Sequence, residues 1–204
     1  MHHKDLIRSF LCYTNYGDNM DKEEYKITIK KFFGHLHTVN THRFRVFCLC
    51  FKVGIPLQGL IHDLSKYSPT EFLEGAKYYA GTYSPIMNCK KDIGYSKAWL
   101  HHKGRNKHHF QYWYDYAAPI ETPIMPFKYI LEMICDDLAA GMTYQGKKWY
   151  PGYQLTYWNK VREEAKMNET MKQLLDKVYT EISLHGLKVL KRKQIKEWYD
   201  SYIK

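Results

Sequence analysis

The sequence predicts an all-α fold, and three observations carry that expectation. Apolar residues recur at helical rather than alternating spacing through the stretch from Lys22 to Val53. Glycine, proline and serine stand where helices stop and start, as at Gly54, Pro56 and Ser68-Pro69. No segment offers a convincing alternation of apolar and polar residues, so strands have nothing to build on.

Taken in order, the first stretch holds no proline and one glycine, Gly34, a point at which it can divide in two. Its apolar positions include Ile29, Phe32, Leu36, Val39, Val46 and Leu49, with Phe44 and Phe51 beside them. Gly54 ends it, and Pro56 opens a short helix expected to run, buried, to Tyr67. Ser68-Pro69-Thr70-Glu71 has the pattern of a capping box with proline in the first turn, and opens a helix to about Ala80. The span from Gly81 to Gly94, with Pro85, reads as a loop, and Tyr95 to Tyr116 as helical with a break at Gly104. Three prolines make Ala117 to Pro126 irregular. Phe127 to Tyr144 is a helix with Ile130, Ile134, Leu138 and Met142 on one face. After a loop from Gln145 to Gly152, two or three amphipathic helices finish the chain. Residues 1–150 are expected to form one helical domain, and residues 151–204 a basic helical extension packed on it.

A chain of 204 residues can bury a sizeable core. The five cysteines include no CxxC pair, which argues against a disulfide framework or a cysteine-type zinc site and for a reducing compartment. The span from Met1 to Tyr13 lacks the apolar stretch of a signal peptide, and the longest near-apolar run, Val46 to Phe51, is too short to cross a bilayer. A cytoplasmic location without membrane contact is the resulting expectation. The net charge of +10 favours anionic partners: a small phosphorylated substrate, with nucleic acid as a weaker candidate. The lysines after Gly186 read first as a solvated helix face.

The 11 histidines are not scattered. Most fall in three groups: His35, His37 and His42; His62, followed by Asp63; and His101, His102, His108 and His109. The pair Asp136-Asp137 follows in the next long helix. Imidazole and carboxylate are ligands suited to one or two divalent transition metal ions, Fe, Mn, Zn, Ni or Co. Two antiparallel helices meeting at Gly54 would put His42 about 18 Å and His62 about 12 Å from the turn, at ~1.5 Å per residue. Crossing of the helices can close that difference. His35 lies seven residues before His42, on the same face, as a substrate contact or a structural hydrogen-bonding residue. His37 lies off that face. Glu132, one turn before Asp136, can orient a ligand histidine or sit solvated. Trp99, Tyr112 and Trp113 fit core or cleft wall better than stacking platforms.

The segment Gly59-Leu60-Ile61-His62-Asp63-Leu64-Ser65-Lys66 resembles the signature of the HD-domain metal-dependent phosphohydrolase superfamily. There a helix carries His-Asp followed by a small residue and Lys, an upstream His comes from the preceding helix, and a downstream Asp from a later one. A closer resemblance is to an uncharacterised family of bacterial and phage proteins. It rests on His35 to His42, His62 to Tyr67, and the Trp-Leu-His-His and Asn-x-His-His segments between Trp99 and His109. The resemblance implies an HD-like helical bundle in which His42, His62, Asp63 and Asp136 hold a first metal. His102 and His109, favoured over His101 and His108, would hold a second, with Asp63 shared. The 20 residues from His42 to His62 are fewer than is usual in HD proteins.

The implied activity is hydrolysis of a phosphate ester or phosphoanhydride, such as that of a nucleotide. Asp63 and Lys66 would be catalytic. Lys66 with His35, His101, Lys103, Arg105, Asn106 and His108 would contact the substrate. Two alternatives share the residues: an HD-type di-iron oxygenase, and a non-enzymatic module binding nucleotide, nucleic acid or protein through its Lys-rich end.

Overall fold

The computed structural model describes residues 25–204, and among them the chain is all-α: nine α-helices and four short 3-10 turns, without a strand. The start of the predicted first helix at Lys22 and the reading of Met1 to Tyr13 lie outside the described residues. No described helix is long and apolar enough to cross a membrane.

The first helix, α1 (Ile29–Lys52), is capped by Thr28, whose side chain accepts from the Lys31 amide. It passes Gly34 unbroken. The Tyr79 ring lies where a Cβ at that position would be, so the glycine serves close packing and not a break. The buried residues of α1 form one stripe: His35, Val39, His42, Val46, Leu49 and Cys50. Its N-terminal half carries site residues and its C-terminal half carries core. Phe44 and Phe51 project from the other side. Gly54, at φ 74°, ends the helix as expected.

Pro56 opens α2 (Pro56–Ile61), and here the expectation of one buried helix to Tyr67 is corrected. The helix stops at His62, whose ψ is 131°, and resumes as a 3-10 turn at Leu64–Tyr67. Nor is it buried: Leu57, Leu60 and Ile61 are 77%, 59% and 61% exposed. Ser68 caps α3 (Pro69–Lys77) through the Glu71 amide. The other half of the capping box does not form, because the Glu71 carboxylate is turned towards two histidines.

The predicted loop from Gly81 to Gly94 contains α4 (Pro85–Ile93), with Pro85 at its first position and Gly94 at φ 82° closing it. The predicted helix from Tyr95 to Tyr116 is shorter than expected. Ser96 caps α5 (Lys97–Arg105), the chain leaves helical geometry at Asn106, and only a 3-10 turn, Phe110–Trp113, follows. The long helix α6 (Phe127–Gln145) is buried on nearly all sides, as befits a central element. Then come α7 (Tyr153–Val161), α8 (Glu169–His185) and α9 (Arg192–Tyr202).

Helix α1 packs on α2, α3 and α6, and α3 packs on α5. The core crosses the expected boundary at residue 150: Val46, Ile134, Leu138, Trp158, Leu174, Tyr179 and Ile195 belong to one apolar cluster. The C-terminal helices are also tied in by polar contacts. The Tyr199 hydroxyl donates to the Met125 carbonyl at 2.9 Å, and Arg192 donates to the Gly54 carbonyl at 2.9 Å.

Candidate metal centre

Five segments deliver the histidines and carboxylates to one place. The α1 stripe presents His42. The break between α2 and the 3-10 turn presents His62 and Asp63. Helix α5 supplies His102, the turn after it His108 and His109, and α6 supplies Asp136. Asp63, at φ 54°, is the non-glycine residue with positive φ among the described residues. Aspartate tolerates this left-handed geometry better than most side chains, and the break turns both His62 and Asp63 inward. Arg43 holds the turn in place. Its guanidinium donates to the His62 and Leu60 carbonyls, both at 2.8 Å, and to the Tyr67 hydroxyl at 3.0 Å. These are carbonyls at a helix end that lack helical partners.

The side chains form two ligand-competent groups joined at Asp63. His42, His62, Asp63 and Asp136 make one; Asp63, His102, His108 and His109 make the other. In the first, His42 Nε2 lies 3.0 Å from Asp136 Oδ1, and His62 Nε2 lies 3.3 Å from Asp63 Oδ2. In the second, Asp63 Oδ1 lies 3.3 Å from His102 Nε2 and 3.4 Å from His108 Nε2. Each Asp63 oxygen therefore faces a different group. Both oxygens are buried without a hydrogen-bond partner, and so are the Nε2 atoms of His62, His102, His108 and His109. Buried polar atoms are rarely left without a hydrogen bond, and six in one place could together hold a metal ion. The residues present fit one or two transition metal ions.

The electrostatics suit coordination at the carboxylates and at His109, whereas, against the effect of burial, neighbouring carboxylates raise the pKa of His62 well above its usual value and that of His108 to about 9, so an ion bound there would displace those protons. Burial works against charge on Asp63, but His62, Lys66 and His102 hold its carboxyl well below the usual range. Burial likewise opposes ionisation of Asp136, which His42 and His62 keep ionised. His109 is held neutral by burial and by His108 and His102. Neutral imidazole and ionised carboxylate are the forms that coordinate metals.

A family model described as a family of unknown function (DUF5662) matches residues 31–181. The chain belongs to the DUF5662 family. No curated protein and no solved structure matches it. The matched segment contains every residue of both DUF5662 ligand groups.

Behind the ligands of this DUF5662 protein stand two further carboxylates. Glu132 Oε1 lies 2.9 Å from His62 Nδ1 and 3.1 Å from His108 Nδ1, while Oε2 accepts from the Gln58 amide at 2.7 Å. Burial would raise the Glu132 pKa, yet His108 and His62 bring it down to about 2. Glu71 Oε2 pairs with His102 Nδ1 at 2.7 Å, and Oε1 with His101 Nδ1 at 2.6 Å. Such pairs fix the tautomer so that Nε2 is left free for a metal. Because Glu132 braces one histidine of each group, Glu132→Ala is expected to weaken binding at both. The expected loss is roughly 10–100-fold in affinity, read by competition with a chelating dye. Loss of a single equivalent would show that the groups are braced independently.

Of the residues singled out in the sequence, His42, His62, Asp63, His102, His109 and Asp136 come together in the two ligand-competent groups. His108, expected to touch substrate, joins them instead. The helical reading of Tyr95 to Tyr116 had put His108 and His109 on different faces; in a turn, both converge. Lys66 lies 3.1 Å from Asp63 Oδ2. Burial would lower its pKa, but Asp63 and Asp136 raise it, so it stays an ammonium.

Lys66, His35, His42 and His102 line a small, partly open cleft beside the ligand groups, with about 60 Å³ of free space. Neither Lys103 nor Arg105 lines it. His101 is engaged by Glu71. The Asn106 amide is spent on Ser65 Oγ at 2.9 Å and the His102 carbonyl at 2.8 Å, closing α5. Asp137 points away to Tyr179, whose hydroxyl donates to it. Glu71 and Arg43 escaped the sequence reading, since a capping glutamate and an arginine on a helix each have an ordinary explanation.

Proposed function

We propose that this DUF5662 protein is a metal-dependent phosphohydrolase with an HD-type dinuclear centre, acting on a small phosphate ester or phosphoanhydride. The observation that carries the reading is Asp63, whose two buried oxygens face separate histidine groups, with the Lys66 ammonium 3.1 Å from Oδ2 at the edge of a cleft. When bound, two divalent ions would lower the pKa of a coordinated water and offset phosphoryl charge. Asp63 would hold the two halves of the centre at a fixed separation. Lys66, kept charged at the cleft's metal end, would donate to a phosphoryl oxygen as negative charge builds there. Glu132 and Glu71 would keep the imidazoles in the coordinating tautomer.

The test is elemental analysis of the purified protein followed by turnover of phosphomonoesters and phosphodiesters. The loaded wild type is expected to release phosphate. Lys66→Met is expected to keep its metal and lose about 100-fold in kcat, the scale of one lost charge-stabilising donor. A loaded protein inert towards every phosphate ester would reject the reading. The same ligand set suits iron. Bound iron with a visible chromophore and oxygen consumption would favour a di-iron oxygenase instead.

A further inference from the structure

The turn that carries His62 and Asp63 buries both, yet the residues around them leave an apolar face open to solvent. Leu57, Leu60 and Ile61 stand at i, i+3 and i+4 of α2, the spacing that normally turns a helix towards a core. Here Gly59 is the inward residue: a Cβ on it would collide with Cys50 and come within 3.0 Å of the Phe47 Cα. The two leucines and the isoleucine point outward, and Leu64, just past the break, is 53% exposed. On α1, Phe44 and Phe51, each 67% exposed, share a stripe with Phe47. The Phe47 and Phe51 rings lie 6.3 Å apart, and Phe47 runs beneath Gly59, so the two helices contribute to one face.

With roughly 200 Å² for each fully exposed residue, Phe44, Phe51, Leu57, Leu60, Ile61 and Leu64 leave on the order of 800 Å² open. The largest apolar patch of a monomer is commonly about 300–600 Å². About 800 Å² is the share that each partner gives to a stable interface. Charge narrows the choice of partner. Between Arg43 and Ser68 the sequence has one acid, Asp63, and it is buried. Arg43 is spent on two carbonyls and the Tyr67 hydroxyl, and Lys66 is paired with Asp63. Arg192, at the Gly54 end, donates to the Gly54 carbonyl. Arg45 lies off the phenylalanine stripe, which leaves Lys52, at the end of α1, as the segment's cation beside this face. A face with so little free charge has nothing to attract a charged partner and nothing at its centre to repel its own copy.

We propose that this face is the contact between two copies of the chain, with Leu57, Leu60, Ile61 and Leu64 of each copy at its centre. The contact is isologous, so one patch serves both copies about a two-fold axis. It covers the outer side of the turn whose inner side carries His62 and Asp63, and so braces the backbone that aims both. The net charge of +10 repels the copies at long range, and salt screens that repulsion, so the dimer tightens as salt rises. The proposal is independent of the reaction assigned to the metal centre.

The test is sedimentation equilibrium of the full chain over a series of protein and salt concentrations. The wild type is expected to form a dimer that tightens with salt. Leu60→Glu, which puts a carboxylate into each half of the contact, should weaken association at least about 100-fold. Leu184→Glu, at a comparably exposed leucine of α8, should leave it unchanged. Circular dichroism checks that both variants stay folded. A second readout needs no substitution: Cys48, exposed on α1 between Phe44 and Phe51, should react with a maleimide more slowly as the dimer fills, read by peptide mapping. A wild type that stays monomeric would overturn the proposal. So would a dimer that survives Leu60→Glu, or Cys48 reactivity that is the same at every concentration. A monomer that sediments with vesicles of anionic lipid would overturn it too, and give the face to a membrane surface.

Discussion

Asp63→Asn is expected to leave the protein folded and to strip both metal sites. The wild type should carry up to about two equivalents, one for each ligand group. The variant should retain a small fraction, because asparagine offers one neutral oxygen where two charged oxygens faced two groups. The loss should exceed the roughly 10–100-fold set by removing an outer partner such as Glu132. Turnover of a phosphate ester should disappear with the metal. Asparagine is the informative replacement because it accepts the left-handed backbone that this position requires. Alanine would add backbone strain of about 1–2 kcal/mol, confusing misfolding with ligand loss. Elemental analysis beside circular dichroism decides it. A folded Asp63→Asn protein with full metal would show that the shared carboxylate is structural.

Thermal stability should depend strongly on free metal. The metal-free site holds six buried polar atoms without partners, a cost that coordination removes. At free metal a thousandfold above the dissociation constant, one site adds about 4 kcal/mol to stability. For a chain of this size each kcal/mol moves Tm by about 2–4 °C, so one site should raise it by roughly 8–16 °C. The measurement is differential scanning calorimetry of chelator-stripped protein against a metal series, with Asp63→Asn as the control. A Tm indifferent to metal in the wild type would mean that the cluster is satisfied by protons alone.

Much of this centre was legible in the sequence because its ligands come as short local signatures. His62-Asp63, the doubled histidines and Asp136 are visible without coordinates, and the all-α class follows from spacing and caps. The missed features are those fixed by distant packing. Nothing local says that Gly34 accommodates Tyr79 without breaking its helix. Nothing local turns Glu71 from its own cap towards His101 and His102. The sequence reading preferred His109 to His108, and the structure brings both to the group, because the chain makes a turn where a helix was expected and a turn can bring neighbouring side chains to one point. Helix α4 was lost to the ambiguity of proline, which marks loops and helix starts alike.

The ligand-competent residues are drawn from segments far apart along the chain, with 93 residues between His42 and Asp136. Loop closure must bring those segments together before any ion can be held by both. The centre is therefore complete only once α6 is docked against α1. An ion that binds only the finished assembly does not hasten its construction; it delays its dismantling. In the living cell such a centre would act less as a seed for the fold than as a latch, lengthening the lifetime of each molecule that has loaded its metal.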